Sequence, residues 1–79
     1  MKTTNIRLSS IQDVRSFVEI MAKYDAEVDL ICGRYIVDGK SIMGIFSLDL
    51  LNPIKLVAQN ASDEEIAKLF EEIKPFEVK

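Results

Sequence analysis

The sequence predicts a two-layer α+β domain, with helices on one face of a sheet in the split βαβ manner. Four segments alternate apolar and polar side chains with period two, and two longer segments repeat apolar residues at helical spacing behind side-chain caps. The order along the chain is strand, helix, strand, strand, short helix, strand, helix. Length adds a third constraint. With 79 residues there is room for one core, so residues 1–79 read as one domain in which nearly every apolar residue has a structural task.

Thr3 to Leu8 opens the chain as a half-buried strand, with Thr4, Ile6 and Leu8 alternating against Asn5 and Arg7. Ser10 then caps a helix: Asp13 follows at near capping-box spacing, and Ile11, Val14, Phe17, Val18 and Met21 form one stripe that runs on to Lys23. Gln12, Arg15, Ser16 and Glu19 make its solvated face. From Ala26 to Cys32 the period returns to two, with Ala26, Val28, Leu30 and Cys32 on one face and Glu27, Asp29 and Ile31 on the other. Gly33-Arg34 is the turn of an antiparallel hairpin into Tyr35–Asp38, which Asp38-Gly39 closes. Ser41 has the character of an N-cap for a short helix from Ile42 to about Leu48, and Asn52-Pro53 stops whatever precedes it. In the fourth strand Ile54, Leu56 and Ala58 alternate with Lys55, Val57 and Gln59. The last helix carries the clearest signal. Ser62 and Glu65 make a capping box, Asp63 and Glu64 favour the positive end of the dipole, Ile66, Leu69, Phe70 and Ile73 form the stripe, and Pro75 ends it.

Composition excludes several kinds of function. The absence of histidine removes an imidazole base, a His-paired nucleophile, phosphohistidine and any His-containing metal site. The candidate nucleophiles Ser9, Ser10, Ser41, Ser47 and Cys32 sit in no Ser-x-x-Lys or Gly-x-Ser-x-Gly arrangement, so the sequence predicts no enzyme and no catalytic residue. Cys32, the single cysteine, falls on the apolar face of a strand and reads as a core residue in a reducing compartment. Asp63-Glu64-Glu65 and Glu71-Glu72 follow a helix surface, as solubility and dipole charges do, and no metal or other cofactor is expected. The net charge of −3, without a basic run, argues against direct nucleic-acid binding. Met1 to Leu8 lacks an apolar signal core, and the longest apolar stretch, Ile42 to Leu51, is interrupted by Ser47 and Asp49. The expectation is a cytoplasmic protein with neither signal peptide nor membrane anchor.

The segment Gly39 to Leu48 is more apolar than a short surface helix requires. If Ile45 and Leu48 point inward, Ile42, Met43 and Phe46 lie largely outward and form a docking surface; the alternative is that they pack under neighbouring loops. Ser41 also has two readings. It is a helix cap, or a serine suited to phosphorylation because a dianion is favoured beside the first free N–H groups of a helix.

The strings Ala22-Lys23-Tyr24-Asp25-Ala26-Glu27-Val28-Asp29-Leu30 and, more specifically, Gly39-Lys40-Ser41-Ile42-Met43-Gly44-Ile45-Phe46-Ser47-Leu48 resemble the HPr family, the small phosphocarriers of the bacterial sugar phosphotransferase system. The resemblance runs from about Ser10 to Gln59 and through the last helix. It implies an α+β, HPr-like open-faced β-sandwich, a four-stranded antiparallel sheet with two main helices and one short helix on one face. In that family a carrier histidine begins the first helix; counting back from Lys23 puts Ser10 at its position, with Gln12 at that of an arginine and Asp13 at that of a proline. A phosphoserine ester lacks the labile phosphorus–nitrogen bond, so the resemblance implies a variant without histidine phosphocarrier activity, similar in that respect to catabolite-repression HPr. It further implies that Ser41 matches the serine phosphorylated with ATP by HPr kinase/phosphorylase. Ile42, Met43 and Phe46 would then match the apolar surface that docks this kinase, Enzyme I and a LacI-type regulator. The expectation is a non-catalytic HPr-like regulatory protein in carbon catabolite regulation. The alternative is a repurposed HPr-fold interaction module unrelated to sugar transport, forming a weak homodimer through the same patch.

Overall fold

A computed structural model describes residues 1–48, 50 and 52–78. Asp49 and Leu51, counted above in the apolar stretch, and Lys79 lie outside the described residues. The elements are β1 (Lys2–Ile6), α1 (Ile11–Met21), β2 (Glu27–Cys32), β3 (Tyr35–Asp38), α2 (Ile42–Phe46), β4 (Ile54–Gln59), α3 (Asp63–Glu72) and a 3-10 turn (Lys74–Phe76). The strands form one four-stranded sheet in the order β1-β4-β2-β3, with every neighbouring pair antiparallel.

Period-two alternation sorts the sheet into two faces. On the inner face, the row Thr4, Leu56, Leu30 and Val37 is flanked by Ile6 with Ile54 and by Ala58 with Val28. All of these but Thr4 join Val14, Phe17 and Met21 of α1, Ile45 of α2, and Ile66, Leu69 and Phe70 of α3 in one hydrophobic cluster or pack against it, so the helices cover one face of the sheet. The stripe foreseen for the last helix is the buried one, down to Ile73. Phe76, in the 3-10 turn, meets Phe17 edge to face at 6.1 Å. On the outer face Asn5, Lys55, Ile31 and Ile36 make one row, and Thr3, Val57, Asp29 and Asp38 the next.

The boundaries differ from the sequence reading at several places: β1 begins one residue earlier and β2 one residue later than read, and three ends fall short. The first strand does not reach Leu8, because its register ends at Ile6 opposite Ile54, the first residue of β4. Beyond that point Arg7 N donates to Phe76 O at 2.8 Å and Ile6 bridges Glu77, so the C-terminal segment replaces β4 as the partner; Leu8 is nevertheless fully buried. The first helix stops at Met21 rather than Lys23, with Lys23 N and Tyr24 N bonding three residues back in a tightening turn. The short helix ends at Phe46, after which Ser47 and Leu48 turn tightly by the same kind of bond.

Candidate docking site

Among the described residues no polar or charged side chain is buried, so any chemistry belongs to the surface. Ser10 and Ser41 each begin a helix. Ser10 lies in extended backbone and its Oγ accepts from Asp13 N at 3.1 Å. The Asp13 carboxylate does not complete the box on Ser10; it accepts from Ser9 N at 3.1 Å and Ser9 Oγ at 2.9 Å, one residue earlier. Gln12 faces away from this cluster, its amide on Ser16 Oγ at 3.3 Å.

Ser41 is half-buried and caps α2 as read from the sequence, its Oγ accepting from Gly44 N at 3.2 Å. The approach is fixed from three sides. Asp38 O accepts from Ser41 N at 3.0 Å, the Asp38 carboxylate from Lys40 N at 2.8 Å, and Tyr24 O from Lys40 Nζ at 2.6 Å. Gly44 is tightly placed here: a Cβ on it would stand 3.2 Å from Ser41 Oγ and 3.3 Å from Val37 Cβ, so either neighbour would have to give by a few tenths of an ångström.

Of the three residues expected outward on this helix, Met43 is 77% exposed and Phe46 40% exposed. Ile42 is instead half-buried and packs against the core, because the close approach of Gly44 to Val37 leans this end of α2 onto β3. Phe46 contributes to a groove of about 460 Å³ together with Arg7, Leu8, Ser10, Ile11 and Leu50. The fold thus brings Ser10 and Phe46, 36 positions apart by their numbers, to one surface. Ser41, Ile42 and Met43 do not line this groove, although Met43, three residues before Phe46, continues its ridge along α2.

Ile11 departs most from the sequence reading. It belongs to the apolar stripe of α1, yet it is 68% exposed, because the first helical residue projects past the buried part of that stripe. Its position directly after a cap is the signal that separates it from Val14 and Phe17. Arg7, read from the sequence only as a polar residue of the first strand, supplies the one cation of the groove lining among the described residues. Cys32 is half-buried against the core, as its strand position predicts.

The acidic residues of α3 are more than surface charges. Glu65 Oε2 accepts from Ala26 N at 2.9 Å instead of returning to its own cap, and Ser62 Oγ accepts from Glu65 N at 3.1 Å. Glu72 pairs with Lys23 Nζ at 2.5 Å and accepts from the Tyr24 hydroxyl. That hydrogen bond, then partial burial and the negative charge of Glu72 and Glu65, push the Tyr24 phenol up to about 12, while Lys23 and then Tyr24 hold Glu72 below its ordinary value. No group of three or more His, Cys, Asp or Glu that could hold a metal occurs among the described residues. No helix among them is long and apolar enough to cross a membrane.

The topology β1-β4-β2-β3 under three helices recurs in solved structures. HPr-C-His from Thermoanaerobacter tengcongensis superposes with a TM-score of 0.76 at 28% identity, covering 92% of this chain and 90% of that one. The fold is that of HPr. A dimer of HPr from the same organism gives a TM-score of 0.64 at 29% identity over 84% of this chain and 77% of that chain. The catabolite repression containing protein Crh of Bacillus subtilis, described as a dimer with a swapped domain, gives 0.66 at 23% identity over 94% of this chain and 88% of its own. No protein-family model matches the sequence, and no relative is found among curated proteins. The HPr-like, open-faced α+β sandwich expected from the Lys40-Ser41-Ile42-Met43-Gly44 string is the fold observed.

Proposed function

We propose that this chain, one HPr-like domain acting in the cytoplasm, is a non-enzymatic regulatory protein that docks other proteins through Met43, Phe46 and Ile42 and is switched by phosphorylation of Ser41. The observation that carries the reading is the exposure of Met43 and Phe46 beside the cap of α2 on an HPr-like fold. Without any histidine, the family's carrier chemistry has no imidazole to use, and Ser10, at the position matched to the carrier, is occupied as a helix cap. Histidine phosphocarrier activity is therefore absent in this reading.

The chemistry at Ser41 is transfer of the γ-phosphoryl group of ATP to Oγ, with loss of the hydroxyl proton and release of ADP. The first turn of α2 holds no acidic residue, so the new dianion would meet its free N–H groups, with the Asp38 carboxylate on Lys40 N as the neighbouring like charge. It would pair with arginines of one partner or repel an acidic surface of another. The partners this reading names are an HPr kinase/phosphorylase, an Enzyme I-like protein and a LacI-type regulator, with a role in carbon catabolite regulation. The test is incubation with ATP and an HPr kinase/phosphorylase, followed by intact mass. One phosphate on the wild type and none on Ser41→Ala is expected; no addition, with the kinase active on an ordinary HPr, defeats the proposal.

A second reading, a repurposed HPr-fold module that self-associates through the same patch, draws on the same exposure and on the dimers formed by Thermoanaerobacter HPr and by Crh. Sedimentation of wild type against Phe46→Glu separates the two, since only self-association through this patch is lost in the variant.

A further inference from the structure

The sheet has two edges, and they differ. Along β1 the C-terminal segment covers the end of the edge at residues 5–7: Ile6 bridges Glu77, Val78 N donates to Asn5 O at 2.9 Å, and Arg7 N donates to Phe76 O. β3, the other edge, has no neighbour beyond it among the described residues. Its sequence, Tyr35-Ile36-Val37-Asp38, has no proline, lysine or bulge to blunt it, and Tyr35 and Ile36 are 70% and 65% exposed.

We propose that β3 is a self-complementary strand by which two copies of this chain pair antiparallel about a two-fold axis at Ile36, joining their sheets into one. The phase of the hydrogen bonds supports this. The two-residue loop Gly33-Arg34, with Gly33 at φ +60, makes Cys32 and Tyr35 the closing pair of the hairpin, and Gly39 N donates to Val28 O at 2.7 Å in the same phase. Tyr35 and Val37 therefore bond inward to β2, and the N–H and C=O of Ile36 point to the open edge.

The side chains select the register. Opposed residues of an antiparallel pair share a face, so an axis at Ile36 sets Ile36 against Ile36, Tyr35 against Val37, and Arg34 against Asp38 of the second copy. Moving the axis to Val37 would set Asp38 against Ile36, and moving it to Tyr35 would set Arg34 against Ile36. Only the first register opposes unlike charges. Arg34 is exposed and makes no ion pair among the described residues. Asp38 stands opposite Asp29 within its own sheet, a like-charge pair that an incoming guanidinium relieves, and it commits only Oδ1 to Lys40 N. Ile36 also lies opposite Ile31, so the two copies would bring two Ile31–Ile36 pairs into one apolar strip.

Sedimentation equilibrium of the full chain from micromolar to millimolar concentration tests the proposal. The expected species is twice the 9.0 kDa protomer, with Ile36→Lys weakening association by about tenfold or more at unchanged circular dichroism. Arg34→Asp alone and Asp38→Arg alone should be monomeric, and mixing the two should restore a dimer, since each supplies the charge the other lacks. Should Asp38→Arg fail to fold for want of its bond to Lys40 N, Ile36→Lys and Arg34→Asp still decide. A wild type that stays monomeric at millimolar concentration, or a dimer that survives Ile36→Lys and is lost in Phe46→Glu, overturns the proposal.

Discussion

A methyl group at position 39 has nowhere to go. Gly39 N donates to Val28 O at 2.7 Å, and a Cβ on Gly39 would stand 2.8 Å from Val28 Cγ1 and 3.2 Å from the same carbonyl oxygen. Val28 is buried and β-branched, so it has little freedom to withdraw. Gly39→Ala should cost about 1–3 kcal/mol in a urea titration; wild-type stability would show that Val28 yields. Tyr24 gives the second prediction at this scale. Its phenol is held neutral in the fold up to about pH 12, above the ordinary 10.0, so the stability it contributes is complete below pH 10 and is lost as pH rises through 12. Glu72 acts in the opposite direction, contributing above its ordinary 4.5 and losing that contribution as acid protonates it. Tyr24→Phe should therefore flatten the alkaline fall in melting temperature and remove a late phenolate transition at 295 nm; an unchanged alkaline slope would show that another group sets it. Neither link was legible in the sequence. Glu65 reaches Ala26 across 39 positions and Glu72 reaches Tyr24 across 48, whereas local patterns such as capping boxes report only what lies within one turn.

Elements with a strong period were read correctly. β3 and β4 have the predicted bounds, and α3 begins and buries as its cap and stripe require. α2 was legible in its cap but not in its rotation. With five residues it has too few positions to define a stripe, and its orientation is set by the contact of Gly44 with Val37, a tertiary constraint that draws Ile42 inward. The cap and the proposed switch share one oxygen, which makes a separable prediction. Ser41→Ala removes the acceptor for Gly44 N and should cost about 0.5–2 kcal/mol, whereas Ser41→Asp supplies another acceptor and should stay nearer wild type. Partner affinity should rank differently, with Ser41→Asp changing it more than its stability changes. Denaturant curves set beside partner titrations check this; equal binding by wild type and Ser41→Asp would leave Ser41 as a cap alone.

The groove exists only at the scale of the molecule. Ser10 and Ile11 begin α1, Phe46 ends α2, and Arg7 follows a strand whose register has just run out, so no window of sequence contains the surface. The sequence located Met43 and Phe46 by excess hydrophobicity, but it counted Ile11 in one stripe with Val14 and Phe17, since a stripe does not say where the helix outruns the sheet beneath it. The composite surface makes a prediction that a patch on α2 alone does not. At 68% exposure Ile11 contributes little to the core, so Ile11→Glu should leave unfolding within about 0.5 kcal/mol of wild type. If the partner covers both helix starts, Ile11→Glu and Phe46→Glu should each weaken binding by about tenfold, the usual effect of a charge buried at an interface. Because both side chains line one groove, the double variant should lose less than the product of the two effects. Titration of the four proteins against one partner resolves the geometry. Full additivity would mean two separate contacts, and an Ile11→Glu variant that binds like wild type would confine docking to α2, with the groove left outside the interface.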